Sequence, residues 1–228
     1  MVGNLKLIGQ LGEYSTGPFK GWIEGALAEG GITRFTDVGR HDPERELKVV
    51  VSDISHGEMK VLPEDVTGDP KQFPVAEAVR LSMSIPFFFE PGKLGDAVIV
   101  DGGILSNFPL WIYDEPDPRK PPAWPTFGFR LVDRNEQQVA KVDSVTDILS
   151  AMFRTMMYAS DRHYLSQRNQ GRVIDIDITE AGVKVTQFNL GDEDKDRLYR
   201  IGHESTRDFF LHRWDWKEHL RVRGFPQS

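Results

Sequence analysis

No cysteine occurs among the 228 residues, so disulfides, thiolate nucleophiles and Cys-ligated zinc are excluded. No apolar run approaches the roughly 20 residues that a membrane-spanning helix needs. A surplus of positive charge is missing too: 28 Lys and Arg stand against 35 Asp and Glu, a net charge of −7. That balance argues against a nucleic-acid-binding face. The opening M-V-G-N-L-K has neither a basic n-region nor an apolar h-region, and the expectation is a cytoplasmic protein. The 6 histidines include no H-E-x-x-H pair and no other spacing that suggests a metal site. Finally, no G-x-S-x-G occurs. The glycine pairs at that spacing near the start enclose Phe19 (Gly17 to Gly21) and Ile23 (Gly21 to Gly25), so the chain offers no nucleophile elbow.

What is present is ordinary for a globular domain: 39% hydrophobic, 28% charged and 11% aromatic residues, in a length that suits one α/β domain over residues 1–228. The most informative stretch is D-A-V-I-V-D-G-G-I-L-S-N-F-P, Asp96 to Pro109. Ala97 to Val100 read as a buried strand bounded by turn signals. Gly102 and Gly103 then allow a sharp turn with unusual backbone angles and a close approach by another group. Asp101 therefore falls at the carboxyl end of a buried strand, where open α/β sheets place their ligand crevices. A carboxylate there can be a base, a metal ligand or a helix cap, and the residues alone leave all three open.

Along the rest of the chain, Phe19, Trp22, Ile23, Ala26 and Leu27 recur at helical spacing and Gly30-Gly31 ends that helix. Ile32 to Val38 reads as a connecting segment. Leu47 to Val51 is a strand, His56-Gly57 a turn, and Glu58 to Leu62 the return strand of a hairpin. Pro74 to Met83 forms a helix stopped before Pro86. Asp114 to Pro125 is proline-dense and expected as an extended surface loop. A strand at Thr126 to Val132, a helix at Ser144 to Gln170, strands at Val173 to Ile178 and Val183 to Phe188, and an amphipathic helix from Asp192 to about His212 follow. Ile148, Met152 and Met156 share one stripe of the Ser144 helix. Alternating strands and helices point to a layered α/β fold.

The segments A-V-R-L-S-M-S-I-P-F-F-F-E-P (78–91) and V-D-G-G-I-L-S-N-F-P (100–109) resemble the patatin-like phospholipase family. Gly12 to Val38 resembles the loop and helix after that family's nucleophile helix. V-V-V-S-D-I-S-H-G (49–57) resembles its middle strand and turn, and Val183 to Leu211 its closing strand and helix. The resemblance implies a three-layer α/β/α fold and a lipid acyl hydrolase working through a serine–aspartate dyad. It makes Asp101 the dyad's carboxylate and Gly102 and Gly103 the turn that aims it. It implies an acyl-lipid ester or phospholipid as substrate, peripheral membrane contact, and neither cofactor nor nucleic acid. In family order the serine elbow and its glycine-rich oxyanion loop precede the region that opens this chain. The expectation is a patatin-like domain lacking its N-terminal strand–elbow–helix portion; the rival is a catalytically inactive lipid-binding or interaction module.

Other residues invite sharper readings than their surroundings support. Ser15, Ser52, Ser82, Ser84 and Ser106 lie near glycines or the motif, but none sits in a strand–turn–helix elbow. Ser82 and Ser84 are expected to bond backbone at a helix end, and Ser106 to cap or end the turn. His163 and His203 are expected on helices as surface or packing residues. Asp53 with His56, and Asp175 with Asp177, invite a metal reading; Asp175 and Asp177 share a strand face that reads better as solvated. Phe87 to Phe89 suit an acyl pocket or the core, and Trp214 and Trp216 suit tail packing over a membrane interface.

Overall fold

The computed structural model describes residues 12–134, 143, 147–149, 151–153, 155–156, 171–183 and 189–225. They fall into two compact units, one holding residues 1–109 and 142–161, the other residues 110–141 and 162–228. Both mix helices with short strands, and the first contains an open sheet: the fold is α/β.

In the first unit the open sheet has the order β3-β2-β6-β5, with β2 at Val49–Asp53, β3 at Glu58–Leu62, β5 at Gly92–Leu94 and β6 at Ala97–Asp101. All its pairings are antiparallel, and the expected β2–β3 hairpin pairs Val49 with Leu62 and Asp53 with Glu58. Every residue of β2 is buried. Side chains alternate across a strand, so Val49, Val51, Ala97 and Ile99 share one face. That face joins Leu62, Val75, Ala78 and Leu81 in a common core. Val75, Ala78 and Leu81 come from α3 (Val75–Ser82), which packs on β2, β5 and β6. Its Leu81 comes so close to β5 that a Cβ on Gly92 would lie 2.0 Å from Leu81 Cδ2.

The expected first helix is α1 (Gly17–Glu29), with Pro in its first turn and Gly30 at its end, packed on α3. None of its residues is fully buried, and Trp22 is 66% exposed. The segment read as a connector holds a helical turn, α2 (Phe35–Val38), because Asp37 accepts from the Thr33 and Arg34 amides and caps it. Phe87 to Phe89 form β4, paired in parallel with β1 (Gly12–Tyr14). They are neither core nor enclosed: Phe88 is 37% exposed and the other two are half-buried.

In the second unit β7 (Gly128–Val132) and β8 (Val173–Asp177) pair in parallel. The acidic helix α5 (Asp192–Asp208) packs on β8 and runs into a π turn at Phe209–Arg213, before α6 (Trp216–Val222). Trp214 packs edge-on against Phe127 at 4.7 Å, and Trp216 stacks on His219 at 5.4 Å, so the tryptophans do serve tail packing. The loop read as surface begins with a half-buried group: Asp114 takes both guanidinium nitrogens of the buried Arg172, at 2.5 and 2.9 Å. The helix expected at Ser144 to Gln170 lies mostly outside the described residues, and the strand from Val183 almost wholly so. Within the described part the stripe is uncovered, with Ile148, Met152 and Met156 at 48, 57 and 46% exposure.

His219 gives the second unit an acid-sensitive spot. It is 4% exposed, and its Nε2 has no hydrogen-bond partner among the described residues. Burial, then the charges of Arg223 and Arg172, push its pKa down to about 4, with Asp114 opposing them. The unfolded chain takes up this proton below the ordinary value of 6.5, whereas the fold resists it until about pH 4. Stability therefore drops as pH falls through the unfolded value, by about 2 kcal/mol at pH 5. Thermal melts at pH 7.5 and 5 should show a smaller acid loss in His219→Gln than in the parent; equal losses would contradict this.

Candidate active site

The site is built where β6 ends. Alternation places Asp101 on the face of Ala97 and Ile99, directly opposite Val51 of β2. Immediately afterwards the backbone leaves the extended region: Gly102 has φ −63° and ψ −24° and opens the short helix α4 (Gly103–Ser106). This corrects the expectation of unusual backbone angles at the glycines. The expected close approach does hold: a Cβ on Gly102 would stand 2.3 Å from the Val50 carbonyl oxygen.

The Asp101 carboxylate is held by one hydrogen bond, from the Gly103 amide to Oδ1 at 2.7 Å. This is the cap that the sequence allowed, and it uses one oxygen. Among the described residues no hydrogen bond reaches Oδ2 and no cation pairs with the group. Burial therefore dominates: it raises the pKa from 3.8 to about 6, against the smaller lowering by the Gly103 amide. A carboxylate with one anchored oxygen, one unclaimed oxygen and a pKa near neutrality is suited to accept a proton from a hydroxyl.

Four of the five candidate serines take part in hydrogen bonds. Ser82 Oγ donates to the Val50 carbonyl at 2.8 Å, and Ser84 Oγ to the Arg80 carbonyl at 2.8 Å, so both bond backbone as expected. Ser52 Oγ donates to the Gly102 carbonyl at 3.4 Å, and Ser15 Oγ accepts from the Gly17 amide at 3.3 Å. Ser106 is 3% exposed, and its hydroxyl has no partner among the described residues. None of the five is an exposed hydroxyl at a strand–helix elbow.

The metal readings find other occupants. Asp53 is fully buried and binds His56 Nδ1 at 2.8 Å through Oδ2, while Oδ1 accepts from the Ser55 and His56 amides. Burial pushes the Asp53 pKa up, but the hydrogen bonds from His56 and Ser55 outweigh it and hold the group below its ordinary value. Glu58 completes a set of donor atoms within 4.8 Å of one another. A cation is already there: Lys60 Nζ lies 3.6 Å from Asp53 Oδ2 and 2.5 Å from Glu58 Oε1. The group works as an ion-pair network closing the hairpin. Asp175 is taken by Arg130 at 2.8 and 2.9 Å, and Asp177 by Arg134 at 3.0 Å.

The site is thus a strand-end aspartate beside a glycine-dependent turn in an open α/β sheet. Comparison with known proteins gives the chain a family. Residues 3–113 match the family described as Patatin-like phospholipase, a region that contains the whole Asp101 turn. The chain is 34% identical over 215 residues to the uncharacterized protein YqhO of Bacillus subtilis (strain 168), covering 91% of this chain and 70% of that protein. It is 27% identical over 139 residues to the uncharacterized protein R571 of Acanthamoeba polyphaga mimivirus, covering 58% of this chain and 44% of that one. The chain belongs to the patatin-like phospholipase family. Among the described residues no helix is long and apolar enough to cross a membrane.

Proposed function

We propose that the protein is a lipid acyl hydrolase in which Asp101 is the base of a serine–aspartate dyad, acting on an acyl-lipid ester or phospholipid. The observation that carries this is the Asp101 carboxylate itself, half-buried, anchored through one oxygen only, with its pKa raised to about 6. Asp101 accepts the proton of a serine hydroxyl as that oxygen attacks the ester carbonyl. The proton passes to the leaving alcohol, and water then releases the acid from the acyl-serine. Gly102 and Gly103 shape the turn that aims the carboxylate. In this reading the serine comes from outside the 228 residues, since these contain no G-x-S-x-G.

A second reading is favoured by one specific observation: the described serines next to the motif, Ser52, Ser82, Ser84 and Ser106, are buried or engaged, and none of them is placed as a nucleophile. The protein is then a non-catalytic lipid-binding or interaction module with Asp101 as a relic. Fluorophosphonate labelling of the protein expressed from its complete natural reading frame, read by peptide mass, separates the two. The first predicts one labelled serine, with labelling slowed at least ~100-fold in Asp101→Asn. Folded protein that neither labels nor hydrolyses p-nitrophenyl esters would overturn the first reading and leave the second.

A further inference from the structure

Among the described residues, every φ in the left-handed region belongs to a glycine except one: Phe87 stands at +72°. A bulky side chain takes that conformation only where its surroundings over-determine the backbone. Here they do. Phe87 pairs in parallel with Gly12 of β1, and two residues on Phe89 pairs with Tyr14. The Phe89 amide closes a turn onto the Ile85 carbonyl at 2.9 Å, and the Glu90 amide reaches the Tyr14 carbonyl at 3.0 Å. β1 lies so close that a Cβ on Gly12 would stand 2.3 Å from the Phe89 carbonyl carbon.

Glycine would meet all of these backbone demands without strain. A phenylalanine at this point therefore has to be explained by what its ring touches, and packing within the fold does not explain it. The core of the first unit draws on Phe35, Leu62, Leu81 and Ile99, with Phe73 and Leu94 packed against them, and Phe87 belongs to neither set. The ring is half-buried, and no described aromatic ring pairs with it.

Its position supplies a reason. Ser84, three residues before Phe87, carries the carbonyl that takes the Asp101 amide at 3.0 Å. Ser84 is itself fully buried, its hydroxyl on the Arg80 carbonyl. The chain thus leaves the seat of the carboxylate and presents Phe87 three residues later, within a reach of about 10 Å. Phe88 and, four residues after Asp101, Leu105 add exposed apolar surface. Strain held close to a half-buried carboxylate, by a side chain the core does not use, is a mark of a contact made outside the fold.

We propose that Phe87 is a specificity-determining residue whose ring packs against the acyl chain of the substrate. The inference rests on the reading of Asp101 as the base of a lipid acyl hydrolase, but its first test needs no catalysis. Calorimetric titration of dodecanoate into protein from the complete reading frame gives the affinity for an acyl chain. The Kd should rise at least ~10-fold in Phe87→Gly and in Phe87→Ala, and stay within ~3-fold in Phe87→Leu, which keeps apolar bulk. Thermal melts separate this from a structural role. Both small variants lack the ring, yet Phe87→Gly should melt above Phe87→Ala and no lower than the parent, because only glycine escapes the strain. In the same protein the kcat/KM ratio of p-nitrophenyl decanoate to acetate should fall ~10-fold in Phe87→Gly.

A folded Phe87→Gly with unchanged dodecanoate affinity overturns the proposal, as does a parent that binds no dodecanoate. A Phe87→Gly that melts below Phe87→Ala makes the position structural and overturns it as well. Weakened binding in a protein that hydrolyses no ester would keep the acyl contact and remove only the hydrolase. Long and short esters slowed alike in Phe87→Gly would keep the hydrolase and sink the contact.

Discussion

Gly102→Ala is expected to cost about 3 kcal/mol or more of folding stability, at the upper end of what overpacking a core does. The added methyl would sit 2.3 Å from the Val50 carbonyl oxygen and 2.7 Å from its carbon. Neither atom is the end of a flexible side chain. Both belong to β2, buried along its whole length and paired on both sides, so relief requires moving a central strand. A loss of that size is a large share of the ~5–15 kcal/mol that holds a typical domain together. Gly25→Ala supplies the contrast with the same chemical change. Gly25 lies inside α1 with no atom within 4 Å of the new methyl, so helix propensity alone acts. That substitution should stabilise by up to about 1 kcal/mol. Urea midpoints of the two variants check both signs. A Gly102→Ala midpoint equal to the parent's would mean that β2 yields and that close approach is not what demands glycine.

The turn at Gly102 separates what was legible in the sequence from what was not. The run Ala97 to Val100 followed by Asp101 was legible as a buried strand ending in a carboxylate, because apolar continuity and glycine punctuation are local signals. The β2–β3 hairpin was legible for the same reason. That the glycines admit a close approach was legible as well; which group approaches Gly102 was not, since the Val50 carbonyl that excludes a side chain comes from a strand about fifty residues away. The bonding of Ser82 was half visible: a helix end before Pro86 predicts a backbone partner, but not that the partner is the Val50 carbonyl of β2. The Asp114–Arg172 pair was hidden altogether, because a proline-dense stretch reads as surface and its partner lies 58 residues on. In Asp53 and His56 the metal-like pair was visible, while Glu58, which joins it, and Lys60, the cation that fills it, come from the returning strand.

Asp101→Asn is expected to move stability and activity in opposite directions. The Asp101 pKa stands at about 6 in the fold against an ordinary 3.8. Below the ordinary value both folded and unfolded chains carry the proton, and the group contributes nothing. As pH rises through that window the unfolded chain ionises first, so stability falls. Above about pH 6 the cost is complete, at most about 3 kcal/mol for a gap of about two pH units. Asparagine escapes that cost, still accepts the Gly103 amide, and leaves only a neutral amide where the unclaimed oxygen was. The variant should therefore melt several degrees above the parent at pH 8, with the advantage gone at pH 3.5. In protein from the complete reading frame, ester hydrolysis by the same variant should drop by ~100- to 10,000-fold, the range of general-base catalysis. Gain of stability with loss of turnover is what a strained functional group produces, since the fold retains it at a cost that only activity repays. An asparagine variant no more stable than the parent at pH 8 would instead make Asp101 a structural cap for α4, and the base would have to be sought elsewhere.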